Sequence, residues 1–290
     1  MKKLLILSGK GGTGKTTTAA AFIRFAVARA FADCDVDAPN LHLVESNLGK
    51  PERFDYLGSQ KAVINPEKCR NCGACRSVCR FDAINTDGKA CSINEFSCEG
   101  CGVCTTVCPQ GAVTLHDDVA GEVRLYQRNC TFATAELKMG RGNSGKLVSE
   151  VKLALMHVAQ GANLAIIDGS PGIGCPVIAS MSGVDLVLIV AEPSVSGISD
   201  LERILKTAAV FRTKAVVCVN KWDTSPEKTA AIERFCSENE IPYAGRIPYD
   251  AEASVSINKG ESIADVDCPA SRALRKVFDC VMGMLKGDIA

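Results

Sequence analysis

Short apolar runs alternate along the chain with longer segments of helical composition. Residues 4–7 form a continuous apolar run, a glycine-rich turn follows at 9–14, and residues 16–26 are rich in alanine without glycine or proline. Further apolar runs predict buried strands at 30–32, 164–167, 186–190 and 215–219. Helices are predicted between them at 146–160, 199–211 and 226–239. This alternation predicts an α/β fold with a doubly wound, mostly parallel sheet.

The last apolar pattern, at 269–285, has helical spacing. Its apolar residues share one face: Leu274, Val277, Phe278, Val281 and Leu285. Basic residues flank that face at 272, 275 and 276, so a helix on a membrane surface is one interpretation. We expect instead a helix that closes the core, because single amphipathic helices are common in globular domains.

The alternation breaks between about 58 and 115, where the chain repeats itself at an offset of 29 residues. The repeat aligns two runs of cysteines: Cys69, Cys72, Cys75 and Cys79 with Cys98, Cys101, Cys104 and Cys108. A duplicated half-unit predicts a small pseudo-symmetric domain at 59–116, inserted between two parts of a larger domain at 1–58 and 117–290. Residues 126–144 are polar and contain two glycines, which predicts a loop that returns from the insert.

The composition is that of a soluble globular protein except for its cysteines. Hydrophobic residues make up 47% of the 290 residues and charged residues 23%, which is ordinary for that class. Lys plus Arg and Asp plus Glu number 33 each, so charge gives no case for nucleic acid as a partner. No apolar stretch approaches the ~18 residues of a membrane span, and we expect a cytoplasmic protein. Sixteen cysteines without an export signal indicate metal ligation rather than disulfides.

The glycine-rich turn after the first strand fits the pattern G-x-x-x-x-G-K-[ST] from Gly9 to Thr16, and a helix is predicted to follow it. In this motif backbone N–H groups surround the phosphates of a nucleotide, and the helix N-terminus adds partial positive charge. Lys15 is expected to reach the β- and γ-phosphates, and the Thr16 hydroxyl to bind Mg²⁺.

The additional lysine at position 10 resembles that of the deviant Walker A group, the MinD/Mrp-like P-loop ATPases, which include the nitrogenase iron protein. In that family this lysine crosses a dimer interface to the partner's nucleotide. The resemblance therefore implies a nucleotide-dependent homodimer. A second cation near the γ-phosphate would stabilise negative charge in the transition state, as an arginine finger does.

Three segments at the ends of predicted strands extend the resemblance. Residues 33–37 look like switch I, in which Asp35 would position the attacking water and Asp33 would assist the Mg²⁺ shell. Asp168 begins a segment that looks like Walker B running into switch II, and its carboxylate would hold Mg²⁺ through water. Asn220 resembles the family's base-contacting asparagine, and Pro248 lies in the loop that resembles its second purine-side segment.

These assignments give three sets of residues. The predicted nucleotide-binding residues are Gly9, Lys10, Gly11, Gly12, Thr13, Gly14, Lys15, Thr16, Thr17, Asn220 and Pro248. The predicted catalytic residues are Lys10, Lys15 and Asp35, and the predicted magnesium ligands are Thr16, Asp33 and Asp168. Residues 220–223 also satisfy the N-K-x-D pattern that reads guanine, so ATP is favoured by the resemblance while GTP stays open.

The two cysteine runs share the spacing C-x₂-C-x₂-C-x₃-C, and they match the run of bacterial two-cluster ferredoxins. Three cysteines of each run bind one [4Fe–4S] cluster and the fourth binds the other. Cluster I is therefore assigned to Cys69, Cys72, Cys75 and Cys108, and cluster II to Cys98, Cys101, Cys104 and Cys79. Zinc is disfavoured because this spacing, present twice, is not a zinc-finger pattern. Outside the runs, Cys175 follows the switch II segment, and a dimer-bridging cluster ligand is one interpretation of it.

Nearly the whole chain thus resembles MinD-superfamily P-loop ATPases that contain an inserted ferredoxin domain. The resemblance implies ATP, Mg²⁺ and two [4Fe–4S] clusters as cofactors. An ATP-gated electron carrier is the favoured function, with an unknown redox or cluster-accepting protein as its partner. An iron–sulfur cluster assembly factor is the first alternative, although the predicted ATPase domain lacks the C-x-x-C pair through which Mrp-like relatives usually bind a transferred cluster. A positioning protein of the MinD type is the second.

Overall fold

The computed structural model describes residues 1–43, 45 and 48–287, without the side chain of residue 257. The strands are β1 Lys2–Leu7, β2 Ala30–Asp33, β3 Glu52–Leu57, β4 Lys61–Ile64, β5 Ile84–Thr86, β6 Cys91–Ile93, β7 Val113–His116, β8 Val119–Tyr126, β9 Thr131–Leu137, β10 Leu164–Asp168, β11 Leu186–Ala191, β12 Lys214–Asn220 and β13 Tyr243–Ile247.

The helices lie between these strands. They are α1 Lys15–Ala26, α2 Ala74–Ser77, α3 Val103–Val107, α4 Ser144–Val158, α5 Cys175–Met181, α6 Val195–Val210, α7 Pro226–Glu238, α8 Ala251–Asn258 and α9 Pro269–Lys286. Three single turns of 3₁₀ helix add Leu41–Leu43, Trp222–Thr224 and Ile263–Asp265.

The main sheet has nine strands in the order β13-β12-β11-β1-β10-β2-β9-β8-β3. The pairs from β13 through β9 are parallel. β1 occupies the middle of the sheet, and all side chains of residues 4–7 are buried, which explains why this strand is continuously apolar. The prediction of an α/β fold with a mostly parallel sheet is therefore confirmed.

Two further sheets are small and antiparallel. β4 pairs with β7 so that Ala62 lies opposite Leu115, and β5 pairs with β6 so that Asn85 lies opposite Ser92. By the density of its internal contacts the chain divides into two compact units. The first contains Met1–Arg53, Val123–Glu136 and Ser144–Ala290, and the second contains Phe54–Glu122 and Leu137–Asn143.

The C-terminal helix α9 packs into the core of the first unit, as expected. All five residues of its predicted apolar face are buried there, and Phe278 meets Phe22 of α1 edge to face at 5.0 Å. The helix begins at Pro269 after Cys268, whose sulfur accepts the Ser271 N–H at 3.4 Å, and it ends before Gly287 at φ 86°. None of the described helices is long and apolar enough to cross a membrane.

The prediction of a loop throughout 126–144 is wrong. β9 lies inside that range and pairs in parallel with β2, with Ala133 beside Ala32. Its sequence, Thr-Phe-Ala-Thr-Ala-Glu-Leu, lacks a run of large apolar residues, although Phe132, Ala133 and Ala135 are fully buried. The strand is buried although its residues are mostly small or threonine, so it lacks the apolar run by which the other buried strands are predicted.

Candidate functional site

The turn between β1 and α1 forms a cradle of backbone that only glycine allows. Gly12 and Gly14 have φ values of 80° and 91°, which are left-handed. A Cβ on Gly14 would lie 2.3 Å from Nδ2 of Asn220, which occupies that space. α1 then begins at Lys15 with no acidic residue in its first turn. The turn and the helix N-terminus together make an arrangement suited to an anion.

Lys15, Thr16 and Asp168 meet at the base of this cradle. The Lys15 Nζ lies 2.6 Å from Asp168 Oδ1, and the Thr16 hydroxyl donates to Asp168 Oδ2 at 2.7 Å. Asp168 ends β10 and is fully buried, while the Lys15 side chain is 6% exposed. Burial alone would lower the pKa of Lys15, but the carboxylates of Asp168, Asp33 and Asp35 raise it, so the ammonium stays charged.

Asp33, at the end of β2, folds the loop that follows it. Its Oδ1 accepts the N–H of Asp35 at 3.0 Å, and its Oδ2 accepts those of Asn40 and Leu41 at 2.9 Å each. Burial, followed by the neighbouring charge of Asp168, raises the pKa of Asp33 to about 7. Because both carboxylate oxygens bind backbone, the structure gives Asp33 a loop-holding role in place of a direct approach to the cradle.

Asp35 faces the cradle from the same loop. Its Oδ2 lies 3.9 Å from the Lys15 Nζ, and its side chain lines a cleft with the turn residues and with Ser170 and Pro171. Burial raises the pKa of Asp35 to about 6, against the opposing effect of Lys15. A carboxyl group with that pKa changes its protonation near neutral pH, beside the place where the predicted phosphates would lie.

Lys10 is held by residues that the motif analysis did not single out. Its Nζ lies 2.8 Å from Glu192 Oε2 and donates to the Ser194 hydroxyl at 3.2 Å. Lys221 approaches the other Glu192 oxygen at 3.4 Å and donates to the carbonyl of Gly12 at 2.9 Å. Glu192 directly follows β11, which is buried and pairs with β1. Its position at the end of a predicted strand is the one sequence feature that could have identified Glu192 as a candidate site residue.

A second cleft adjoins the first and contains Asn220 and Pro248. The Asn220 Nδ2 donates to the carbonyl of Thr13 at 2.7 Å, which ties the end of β12 to the turn. The carboxylate of Asp223, the last residue of the N-K-x-D pattern, accepts the Tyr249 N–H at 2.7 Å. Two of the polar groups that could read guanine therefore hold loops together, and the shape of this cleft depends on them.

The four thiols assigned to cluster II line one cavity of the second unit. They are Cys79, Cys98, Cys101 and Cys104. Burial raises the pKa of the Cys104 thiol, and the charges of Cys98, Cys101 and Cys79 add to the rise, so these three sulfurs lie near that of Cys104. Backbone N–H groups also point at sulfur, since Ala62 donates to Cys98 Sγ at 3.5 Å and Ala112 to Cys108 Sγ at 3.3 Å. Sulfur atoms that accept N–H bonds suit ligands of an iron–sulfur cluster.

The thiols assigned to cluster I are less closely gathered. Cys75 is buried next to Cys69, and burial raises its pKa, with a smaller rise from the charge of Cys108. Cys72 is exposed. Among the described residues no three His, Cys, Asp or Glu side chains are placed to hold a single metal ion. A tetrahedral ion would need sulfurs roughly 3.8 Å apart, given ~2.3 Å metal–sulfur bonds, whereas a cubane bonds each thiolate to a different iron.

The pseudo-symmetry of the cysteine runs is visible in the backbone. α2 follows Gly73 at φ 74° and α3 follows Gly102 at φ 77°, so each run turns into its short helix through a left-handed glycine. The donation of the Ala62 N–H to Cys98 is matched by donation of the Cys91 N–H to Cys69 at 3.5 Å. Cys175, by contrast, is an exposed residue at the start of α5 in the first unit.

Comparison with known proteins agrees with this geometry. The family model described as the CobQ/CobB/MinD/ParA nucleotide binding domain matches residues 4–263. An uncharacterized protein of Methanocaldococcus jannaschii is 35% identical over 289 residues, which cover 96% of this chain and 95% of that protein. A ferredoxin of Mycobacterium bovis is 46% identical over 33 residues, or 11% of this chain and 29% of that protein.

A solved structure shows the same fold. The septum site-determining protein MinD complexed with Mg-ADP from Pyrococcus horikoshii superposes with a TM-score of 0.55 at 18% identity, covering 98% of each chain. At this identity the likeness concerns the fold alone. The family match, in contrast, spans residues 4–263 and so includes the glycine-rich turn together with Asp35, Asp168 and Asn220. The chain therefore belongs to the CobQ/CobB/MinD/ParA family of nucleotide-binding domains.

Proposed function

We propose that this chain is an ATP-hydrolysing iron–sulfur protein that couples nucleotide state and dimerisation to electron transfer through two [4Fe–4S] clusters. One observation carries the proposal: the same polypeptide has the buried Lys15–Asp168–Thr16 arrangement and a cavity lined by four thiols. Nucleotide binding follows from the family, and hydrolysis, the clusters and the coupling are the proposed part.

In the proposed nucleotide site Lys15 exchanges partners. Its Nζ now neutralises Asp168 at 2.6 Å, and phosphate oxygens would draw it away. Asp168 and the Thr16 hydroxyl would then be free to hold Mg²⁺, with Asp168 acting through water. Asp35 would orient the attacking water, since its carboxyl group faces the same cleft.

The proposed dimer uses Lys10. The Lys10 side chain is 39% exposed, so breaking its ion pair with Glu192 costs little free energy. In the dimer that the resemblance implies, Lys10 would reach the partner's nucleotide and stabilise charge as it develops in the transition state. Asn220 and Pro248 would contact the base, and we favour ATP over GTP.

The proposed cluster domain, residues 59–116, lies inside the second unit. The donor chemistry fits iron–sulfur clusters, because thiols from both runs gather in one cavity and backbone N–H groups donate to sulfur. Cluster I would be held by Cys69, Cys72, Cys75 and Cys108, and cluster II by Cys98, Cys101, Cys104 and Cys79. Bound clusters would supply one-electron redox chemistry, while the surrounding backbone and burial set their potentials.

The test combines iron counting, turnover and spectroscopy on the full chain purified without oxygen. We expect about eight irons per chain, ATP hydrolysis, and an EPR signal of the reduced clusters that changes when ATP is added. Lys15→Ala should abolish the ATP effect and leave the iron in place. Material without iron would contradict the redox part. Transfer of the iron to an apo-acceptor on ATP addition would favour an assembly factor instead.

A further inference from the structure

The two halves of the cysteine repeat differ in charge. In residues 66–80, which hold the first run, four residues are basic and one is acidic. The basic residues are Lys68, Arg70, Arg76 and Arg80. The aligned residues of the second run are Ser97, Glu99, Thr105 and Pro109, and residues 95–109 contain two acidic residues and no basic one. The two aligned halves therefore keep the same cysteine spacing but present opposite charges.

The basic side chains of residues 66–80, here called the basic segment, point into solvent. All four are exposed, and within the described part of the chain none makes an ion pair or a side-chain hydrogen bond. In the second half, by contrast, one of the two acidic side chains is paired, since Glu95 Oε2 lies 2.7 Å from Arg141 Nη2. Unpaired exposed cations create a local positive potential that the neutral net charge of the whole chain conceals.

The basic segment also surrounds the most accessible proposed ligand of cluster I. Cys72 is exposed and lies between Arg70 and Arg76, close to the buried Cys75. A partner that binds the basic segment would therefore approach the cluster I end of the unit. Since electron transfer requires two redox centres to come close together, this is where an electron donor or acceptor would be useful.

The composition of the basic segment favours a protein as its partner. Three of its four cations are arginines, and Phe81, 43% exposed, directly follows Arg80. Arginine and aromatic residues are enriched at protein interfaces, where lysine is depleted. An anionic lipid surface attracts lysine as well as arginine, so it would not account for the preference for arginine. The balance of 33 basic and 33 acidic residues gives no electrostatic footprint of a nucleic-acid-binding protein.

We propose that the basic segment is the docking surface of a small acidic electron-transfer protein, which exchanges electrons at the cluster I end of this chain. The inference rests on the proposed function, because it needs bound clusters. The exchange is a single electron lost by one partner and gained by the other, with no bond made or broken. Charge complementarity speeds the encounter and orients the partner, as is usual for such short-lived complexes.

The experiment measures how tightly an acidic electron-transfer protein binds the iron-loaded chain. A plant-type [2Fe–2S] ferredoxin serves as the acidic probe, and calorimetry gives its Kd at 50 mM salt for wild-type protein of verified iron content and ATP turnover. The double variant Arg70→Glu, Arg76→Glu should bind about tenfold or more weakly, and raising the salt to 200 mM should weaken wild-type binding in the same way. The milder pair Arg70→Gln, Arg76→Gln should lie between them.

The matched control is Lys206→Glu, Lys214→Glu, which changes the net charge equally at two exposed positions of the first unit. It should bind the ferredoxin as the wild type does. Equal Kd values for the arginine-to-glutamate variant and the lysine-to-glutamate control would overturn the proposal. Tighter binding of a DNA duplex or of anionic-lipid vesicles through the same arginines would overturn it as well. Protein without iron would refute the proposed function, whereas iron-loaded protein with unchanged ferredoxin binding in the arginine variants would refute only this inference.

Discussion

Lys15 and Asp168 form a buried pair whose members depend on each other. The Asp168 side chain is fully buried. Its carboxylate forms an ion pair with Lys15, whose Nζ lies 2.6 Å from Asp168 Oδ1. A buried charge that loses its partner is strongly destabilising. The pair therefore stabilises the fold around the cleft as long as no phosphate replaces Asp168 as the partner of the Lys15 ammonium.

Lys15→Ala should lower ATP turnover about 100-fold or more, because the phosphates lose a charge that stabilises the transition state. It should also lower the free energy of unfolding, since Asp168 is left without its cation. A phosphate-release assay and urea unfolding measure the two effects. Lys206→Ala, which removes an exposed lysine in a weak 4.0 Å pair, should change neither, and wild-type turnover in Lys15→Ala would contradict the assignment.

The buried carboxyl groups of Asp33 and Asp35, at the end of β2 and in the loop after it, predict a pH dependence of stability. Burial raises the pKa of Asp33 to about 7 and that of Asp35 to about 6, from 3.8. The folded protein therefore binds more protons than the unfolded chain between about pH 4 and 7, and the free energy of unfolding should fall as pH rises through that range. Glu45, whose pKa burial raises to about 7, acts in the same direction.

Urea unfolding at several pH values in a metal-chelating buffer measures this slope. Asp35→Asn should reduce the loss of stability above about pH 4, by on the order of 1–2 kcal/mol at pH 7, because one group no longer has to ionise in a buried place. Asp279→Asn, at an exposed position of α9, should leave the slope unchanged. A stability that rises between pH 5 and 7 would contradict the burial of these groups.

At the scale of secondary-structure elements, a lysine joins α4 to α5. The buried Lys152 Nζ donates to the carbonyls of Ala179, Ser180 and Ser182 at 2.6–2.8 Å. These carbonyls lie at the C-terminal end of α5, where a cation is favourable and where backbone acceptors lack partners within the helix. α5 is only seven residues long, so this contact contributes much to its position.

Lys152→Ala should lower the free energy of unfolding by about 2–4 kcal/mol, because three carbonyls, of which that of Ser180 is in a buried hydrogen bond, lose their donor. Leu153→Ala is the control on the same helix, since the Leu153 side chain is 67% exposed and should contribute little. Denaturant unfolding of both variants decides the point. An equal effect of the two substitutions would mean that Lys152 is not the group that holds the end of α5.

Most of the strands that could be predicted are those whose buried residues are large and apolar. Leu, Ile and Val, with an occasional Ala or Cys, fill the centres of β1, β10, β11 and β12. The five-residue apolar face of α9 repeats at helical spacing. β13 was missed because this edge strand is partly exposed and contains Gly245. β9 was missed because most of its buried residues are small residues or threonine, which do not form a run of large apolar side chains in the sequence.

The candidate site divides in the same way. The cradle from Gly9 to Thr17 could be predicted because a contiguous motif contains it, and its expected binding roles stay predictions. The partners of Lys10 and the bond from Asn220 to Thr13 could not be predicted, because they join strand ends that are distant in sequence. Which ends are neighbours depends on the strand order, and spacing along one sequence does not contain that order.

At the scale of the whole molecule, the thiols of the two cysteine runs should act as two separable sets. Cys104→Ser should lower the iron content from about eight to about four per chain, because cluster II loses a ligand while cluster I keeps all four of its own. Cys280→Ser, which changes a cysteine outside both runs, should leave iron unchanged. Iron analysis with sulfide counting checks both, and complete loss of iron in Cys104→Ser would mean that the two clusters do not assemble independently.

The way the chain enters and leaves the cysteine-rich segment has a practical consequence. β3 and β8 are neighbours in the sheet, and the Gly58 N–H donates to the carbonyl of Asp118 at 3.0 Å, so residues 58 and 118 already touch. A two-residue turn could therefore replace residues 59–117 with little loss of chain entropy. Such a shortened chain would be an excised, iron-free counterpart of the protein, in which nucleotide turnover can be measured by itself. The reciprocal experiment would insert residues 59–117 between two paired strands of an unrelated sheet.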